Sequence, residues 1–338
     1  MHVTELQPAP GYERVVLAEE PAAGYRALVA VHSSRLGPAV GGTRRWRYPS
    51  DEAALADALR LARGMSYKNA LAGLPMGGGK SVIMADGEVA SREDLFQAHG
   101  LLVESLGGRY ITAEDVGTSH EDMAIVRRET RWVAGLSDPS PVTARGVLRA
   151  MTAAARHRWG SDDLSNRTVA IQGCGHVGAS LAAQLSQLGA RLVVCDLERA
   201  RADRCAAEHG AVVVSPHDIY DQPADILSPC ALGGTLNHAT IPRLRVSLVV
   251  GAANNQLALA ADADDLAARD ILYVPDYVAN AGGVIDGARD ICGWSAERAQ
   301  AAVEAVYDTT LDLLAAAERQ DETPAAAADR IAEARLAP

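Results

Sequence analysis

Lysine is almost absent from these 338 residues: it occurs only at Lys68 and Lys80, and the other thirty of the 32 basic residues are arginine. Arginine stays charged at any accessible pH, whereas a lysine ammonium loses its proton readily on burial, so two retained lysines point to chemistry that arginine cannot perform. No apolar run reaches membrane-spanning length, and the opening MHVTELQPAPGYE lacks a basic segment followed by an apolar one. The expectation is a cytoplasmic protein without a membrane partner. None of the five cysteines forms a CxxC pair, no His/Cys spacing resembles a zinc site, and the nine histidines show no convergent pattern. Reduced thiols and no metal are therefore expected. A net charge of −11 disfavours binding along a phosphate backbone, which excludes nucleic acid.

What is present reads as a folded α/β protein, with 48% apolar and 22% charged residues and a length that suggests two domains. In the first half, YRALVAVHS (Tyr25 to Ser33) reads as a strand and GPAVGGTR as a glycine-rich turn. DEAALADALRLARGMSYKNAL repeats apolar residues at helical spacing behind Ser50 and Asp51 as caps, which puts Lys68 near a helix end. Gly77 to Gly79 are read as letting backbone approach a ligand just before Lys80, with SVIMAD (Ser81 to Asp86) a short buried strand. SREDLFQAHGLLVESL reads as a capped helix, and GRYITAEDVGT as a strand and loop with Asp115 at the strand's carboxyl end, where α/β sheets place their chemistry.

Past Pro139 and Pro141 a long helical pattern begins, followed by the clearest motif of the chain. The β-rich run Thr168 to Gln172 leads into Gly173-x-Gly175-His176-Val177-Gly178 and a helix-period segment, and a second strand ends at Asp196, eighteen residues past the last glycine. This is the dinucleotide fingerprint: glycines for the tight turn, the approach to pyrophosphate and close helix packing, with the acid for the ribose hydroxyls. An acid at Asp196 also repels a 2′-phosphate, so NAD is expected over NADP. GGGKS does not make an ATP-binding loop, since the glycine needed six residues before the lysine is replaced by Leu74. No GxSxG elbow is present.

The blocks GPAVGGTR, RGMSYKN, LPMGGGKSVI, YITAEDVGT, PVTARGV, QGCGHVG, SPCALGG, GAANNQL and PDYVANAGGVI resemble, in order along nearly the whole chain, the leucine/phenylalanine/valine amino-acid dehydrogenases, relatives of glutamate dehydrogenase. The resemblance implies a two-domain α/β protein: a catalytic domain at 1–140 plus 310–338, a Rossmann domain at 141–309, and a deep cleft between them. It implies reversible, NAD-dependent oxidative deamination of an L-amino acid to its 2-oxo acid and ammonia, by a homo-oligomer. An oxo-acid or imine reductase that releases no ammonia, or a silent NAD-binding sensor, are the alternatives on such a scaffold.

By the same resemblance Lys68 binds the substrate carboxylate with help from backbone at Gly42. Lys80 polarises the 2-carbon and the attacking water, and Asp115 shuttles protons. Met65 lies near the substrate and Asn255 hydrogen-bonds it, while Asn254, Thr143, Cys230 and Ala231 contact the cofactor. Val40, Ala113, Val284 and Gly287 line the side-chain pocket. Glycine at 287, where leucine-specific relatives carry a bulkier residue, implies a large aromatic or long aliphatic substrate. Asp286 beside it would attract a cationic side chain if turned inward. The stretch VAGLSDPS is shorter than the glycine-rich loop usual there, which affects the nicotinamide-side contacts.

Overall fold

The computed structural model describes residues 1–85, 91–135 and 138–337. The chain forms two compact units: Met1–Asp138 with Asp290–Gly293 and Ala332–Pro338, and Pro139–Arg289 with Trp294–Ile331.

The first unit contains β1 (His2–Leu6), β2 (Arg14–Glu20), β3 (Tyr25–Ser33), β4 (Ala39–Trp46), α1 (Asp51–Leu71), β5 (Gly77–Met84), α2 (Arg92–Ser105), β6 (Tyr110–Glu114) and α3 (His120–Glu129). Its strands form one mixed sheet in the order β1-β2-β3-β5-β4-β6, parallel where β5, β4 and β6 meet and antiparallel elsewhere. α1 starts where the Ser50 hydroxyl accepts from the Ala53 N–H at 3.2 Å, with Asp51 and Glu52 complementing the positive end of the helix. Ala54, Ala58 and Ala62 recur at helical spacing, are fully buried, and let the helix lie close against β3 and β5. On the sheet's other face Phe96, Leu102, Tyr110 and Met123 build a second core with α2 and α3.

Two expectations for this region are corrected. GPAVGGTR is not a turn: Ala39–Trp46 is a strand paired in parallel with both β5 and β6. The three glycines before Lys80 are strand residues, all buried in β5, and the space beside them is taken by protein. A Cβ on Gly78 would come within 2.5 Å of Ser66 Cα in α1, and one on Gly79 within 2.9 Å of the Tyr110 ring. Glycine is needed at 78 for helix-on-sheet contact and at 79 to clear the Tyr110 ring, approaches that strand propensities do not encode. Asp86, read as the end of that strand, lies outside the described residues, as do Leu136 and Ser137 of the shortened loop.

The second unit contains α4 (Ser140–Trp159), β7 (Thr168–Gln172), α5 (His176–Gln187), β8 (Arg191–Cys195), α6 (Arg199–His209), β9 (Val212–Val213), β10 (Ile226–Pro229), β11 (Leu248–Val249), α7 (Asp262–Ala268), β12 (Leu272–Tyr273), α8 (Asp276–Ala279), α9 (Gly282–Cys292), α10 (Ala296–Glu304) and α11 (Val306–Gln320); the end of α9 from Asp290 onward falls in the first unit, and α12 (Pro324–Leu336) is likewise divided. The sheet is wholly parallel in the order β9-β8-β7-β10-β11-β12, the doubly wound arrangement of dinucleotide-binding domains. Residues 310–331 group here rather than with the first unit, where the resemblance put them. The reason is packing: α11 runs along α4 and contacts α8, and the Tyr277 hydroxyl of α8 donates to Asp329 Oδ1 of α12 at 2.5 Å.

Candidate active site

Strand pairing puts the residues of interest in the first unit on one face. Val40 is level with Gly78, and Gly42 with Ala113, so Val40, Gly42, Ala113 and Lys80 share the α1 side of the sheet. Gly42 leaves room that any side chain would fill, since a Cβ there would meet Glu114 O at 2.6 Å and Asp115 Cβ at 2.8 Å; glycine is what allows Asp115 to fold back over β4. Lys80 Nζ then lies 2.8 Å from Asp115 Oδ2, with the two side chains 6% and 14% exposed. Lys68 and Met65 are half-buried in the last turns of α1.

A second cation completes this cluster, and sequence reasoning missed it. Arg44 Nε donates to the same Asp115 Oδ2 at 3.1 Å, while its Nη1 donates to Asp57 Oδ2 at 3.0 Å. Asp57 in turn accepts from the Tyr48 hydroxyl and from Arg60 Nη2, each at 2.6 Å. The signal was available, because Arg44 follows Gly42 by two and a strand has period two. Reading the segment as a turn hid it.

Burial pushes the Lys80 ammonium below its ordinary pKa, with Arg44 adding to the depression and Asp115 opposing it. For Asp115 burial acts upward, but Lys80 and Arg44 together overcome it and hold the carboxyl at about 2. Asp115 is thus a carboxylate, beside a lysine whose proton is loosened. Asp115 is a poor proton acceptor while Lys80 is charged and becomes a better one once Lys80 is neutral, so the two titrate as a unit.

Behind these strands lies a buried polar cluster that the sequence did not announce. Thr43 Oγ1 bonds Ser81 Oγ at 2.6 Å, His99 Nε2 at 2.8 Å and Thr112 Oγ1; the Tyr25 hydroxyl meets His99 Nδ1 at 2.9 Å, and Tyr110 donates to Gly41 O. Burial depresses His99 to about 3, so its ring is neutral. The cluster ties together β4, which carries Gly42, β5, which carries Lys80, and β6, whose end leads into Asp115.

In the second unit the register aligns the ends of β7, β8 and β10, which sets Gly173, Asp196 and Cys230 level along the carboxyl edge. The sheet order reverses between β7 and β10, where doubly wound folds hold their ligands. Gly173 has φ +100°, and a Cβ there would press on Ala231; Gly178 packs against Gly173 O. Beside Gly175, by contrast, a Cβ would meet nothing within 4 Å. That open backbone precedes α5, whose N-cap has no capping side chain, so its first N–H groups can take an anion. His176 is exposed and Val177 half-buried in that first turn. The Asp196 carboxylate is oriented by the N–H groups of Cys174 at 2.7 Å and Glu198 at 2.8 Å, which leaves acceptor capacity for ribose hydroxyls. These residues fit a dinucleotide.

Several expected site residues occupy other parts of this unit. Thr143 is half-buried in the first turn of α4, its Oγ1 2.8 Å from where a Cβ on Gly283 would sit. Asn254 accepts from Asn280 Nδ2 at 2.9 Å. Asn255 adopts φ +53° and donates its N–H to Asp276 Oδ2 at 3.0 Å, which is turn-forming geometry. Val284 and Gly287, three apart on α9, are half-buried on one helix face, and Asp286 pairs with Arg289 at 3.2 Å.

The comparisons with known proteins decide the family. Residues 13–132 match the Glu/Leu/Phe/Val dehydrogenase dimerisation domain and residues 194–337 the glutamate/leucine/phenylalanine/valine dehydrogenase domain. The chain is 47% identical over 332 residues to the leucine dehydrogenase of Bacillus subtilis, covering 96% of this chain and 91% of that one. It is 50% identical over 337 residues to the valine dehydrogenase of Streptomyces coelicolor, covering 97% and 93%. The chain belongs to the Glu/Leu/Phe/Val dehydrogenase family. Among solved structures, L-tryptophan dehydrogenase from Nostoc punctiforme superposes with a TM-score of 0.85 at 42% identity over 96% of each chain. The hetero-hexameric glutamate dehydrogenase of Thermus thermophilus shares the fold, with a TM-score of 0.76 at 24% identity over 92% of this chain and 83% of that one. Residues 142–242 also match the NAD-binding domain of D-isomer specific 2-hydroxyacid dehydrogenases. This family member is an NAD-dependent amino-acid dehydrogenase, an oxidoreductase that deaminates an apolar amino acid. Among the described residues no helix is long and apolar enough to cross a membrane.

Proposed function

We propose that this dehydrogenase converts a large apolar L-amino acid, aromatic or long aliphatic, and water into the 2-oxo acid and ammonia, with Lys80 and Asp115 as its catalytic pair. The observation that carries the reading is the buried contact of Lys80 Nζ with Asp115 Oδ2 at 2.8 Å, on a sheet face shared with Gly42. NAD, held at the glycine loop and Asp196, would supply the hydride acceptor for the substrate 2-carbon. Lys68 holds the substrate carboxylate, with backbone at Gly42 beside it and Met65 packing nearby. Lys80, once neutral, takes a proton from the water that adds to the 2-carbon, and Asp115 returns a proton to the departing amino group. Asn255 positions the substrate. Asn254, Thr143, Cys230 and Ala231 join the glycine loop and Asp196 in holding the dinucleotide.

The size preference rests on Gly287, where an added Cβ would meet nothing within 4 Å. By the family resemblance, Val40, Ala113 and Val284 are also proposed as side-chain contacts. Each methylene that fills such space contributes about 0.8 kcal/mol, so discrimination between neighbouring sizes is modest. The test is a panel of L-amino acids followed by NADH formation at alkaline pH, with Gly287→Leu alongside. The expected result is highest kcat/KM for a large apolar substrate, shifting toward smaller ones in the variant. Best activity on valine or alanine refutes the size reading, strong activity on arginine or lysine assigns specificity to Asp286, and NADH consumption from the oxo acid without ammonia refutes the deamination reading. We further propose a cytoplasmic homo-oligomer, supported by the match of residues 13–132 to a dimerisation domain and testable by sedimentation.

A further inference from the structure

We propose that Arg44 is a positioning residue of the Lys80–Asp115 pair: it fixes the Asp115 carboxylate by one oxygen and supplies the fixed positive charge against which Lys80 must ionise. The proposal rests on the catalytic pair proposed above. Its basis is geometric. Two cations meet one oxygen, Lys80 Nζ at 2.8 Å and Arg44 Nε at 3.1 Å from Asp115 Oδ2, so they cannot lie farther apart than the sum of those distances. The Arg44 side chain is 16% exposed and spans from Asp115 to Asp57, whose 15% exposed carboxylate is itself held by Tyr48 and Arg60. A guanidinium suits this place because its planar fork engages two carboxylates at once and does not lose its charge.

The surroundings leave Arg44 as the group that can act in this way. On the α1 face of the sheet, α1 contributes Asp57, Arg60 and Lys68, β3 contributes His32, and the end of β6 contributes Asp115. His32 is bonded to Ser66 Oγ at 2.8 Å and is held below its ordinary pKa by burial and by Arg63. On the opposite face His99 is neutral, and Tyr25 and Tyr110 are pushed upward by burial. Arg44 opposes a charge on Lys80 while Asp57, behind it, favours one. Removing each should therefore act in opposite directions on the same group.

The experiment measures the pH dependence of kcat/KM for amino-acid oxidation in the wild type, Arg44→Met, Arg44→Lys and Asp57→Asn, with a thermal melt on each. Oxidation requires neutral Lys80, so its acidic limb reports that ionisation. Arg44→Met should move the limb to higher pH by about one to two units, the size expected for a unit charge some 6 Å away at an effective dielectric of roughly 20 to 40. Asp57→Asn should move it to lower pH. Arg44→Lys should keep the limb near its wild-type position while lowering kcat, since charge remains and the fork is lost. Opposed shifts are not produced by general loosening of the fold. A limb that stays in place in Arg44→Met, or moves the same way in both variants, overturns the role; if Arg44→Met does not fold, an unmoved or upward-moving limb in Asp57→Asn overturns it. A wild type without amino-acid oxidation fails the functional reading instead.

Discussion

Acid should weaken the first unit through His99, beginning above the pH at which ordinary carboxylates protonate. The ring is fully buried, bonded at both nitrogens by Thr43 and Tyr25, and depressed to about 3 by burial, against an ordinary value of 6.5. A folded-state value below the unfolded one means that the unfolded chain binds the proton first. Stability is therefore complete above pH 6.5 and falls as pH drops toward 3, by about 1.4 kcal/mol per pH unit once the unfolded ring is charged. Between pH 7 and pH 5 the loss from this one group is about 2 kcal/mol, a sizeable part of a typical domain's stability. Asp115 has the opposite ordering of charge but the same sense: its folded value of about 2 lies below the ordinary 3.8, so its contribution disappears only as pH falls from about 4 to about 2. The part of the His99 window between pH 7 and pH 5 thus lies above the Asp115 window. Urea unfolding at pH 7 and pH 5, monitored by hydrogen exchange of β4 and β5 amides, should show the loss in the wild type. His99→Gln should be less stable at pH 7 yet lose about 2 kcal/mol less on acidification, which removes the smaller contribution of His32 from the comparison. A native His99 ring that titrates near pH 6 by NMR, or an equal pH slope in the variant, refutes the argument.

Two further outcomes concern the sites. Lys80→Ala should abolish turnover while NAD still binds, and Lys80→Arg should be nearly as damaging because a guanidinium keeps its proton; kcat within a fewfold of wild type for Lys80→Arg, measured by NADH formation, removes the acid/base role. NAD should be preferred over NADP by roughly tenfold to a thousandfold, and Asp196→Ala should narrow the gap; equal kcat/KM for the two cofactors in the wild type contradicts the placement of that carboxylate beside the ribose.

Much of the second unit was legible in the chain. A strand, a glycine loop and a helix occupy some twenty consecutive residues, so the conformation of Gly173 and the uncapped start of α5 follow from local chemistry. The helix of residues 51–71 was equally legible, through its Ser50 cap and the helical spacing of Leu55, Leu59 and Ala62, although the buried stripe is Ala54, Ala58 and Ala62 and the two leucines are half-buried. The scarcity of lysine alone singles out Lys68 and Lys80 in the chain. What tertiary structure decided was every feature that depends on residues far apart in sequence. Ala39–Trp46 looks like a turn because it holds adjacent glycines, yet those glycines exist to let β5 and the chain around Asp115 approach β4. Arg44 reaches Asp115 across 71 positions, and Thr43 reaches His99 across 56. Local propensity and periodicity carry no information on such pairings, because the partner that stabilises each polar group is supplied by another strand or helix. The sequence determined which residues could do chemistry; the sheet order and the alternation of side chains across it decided which of them meet.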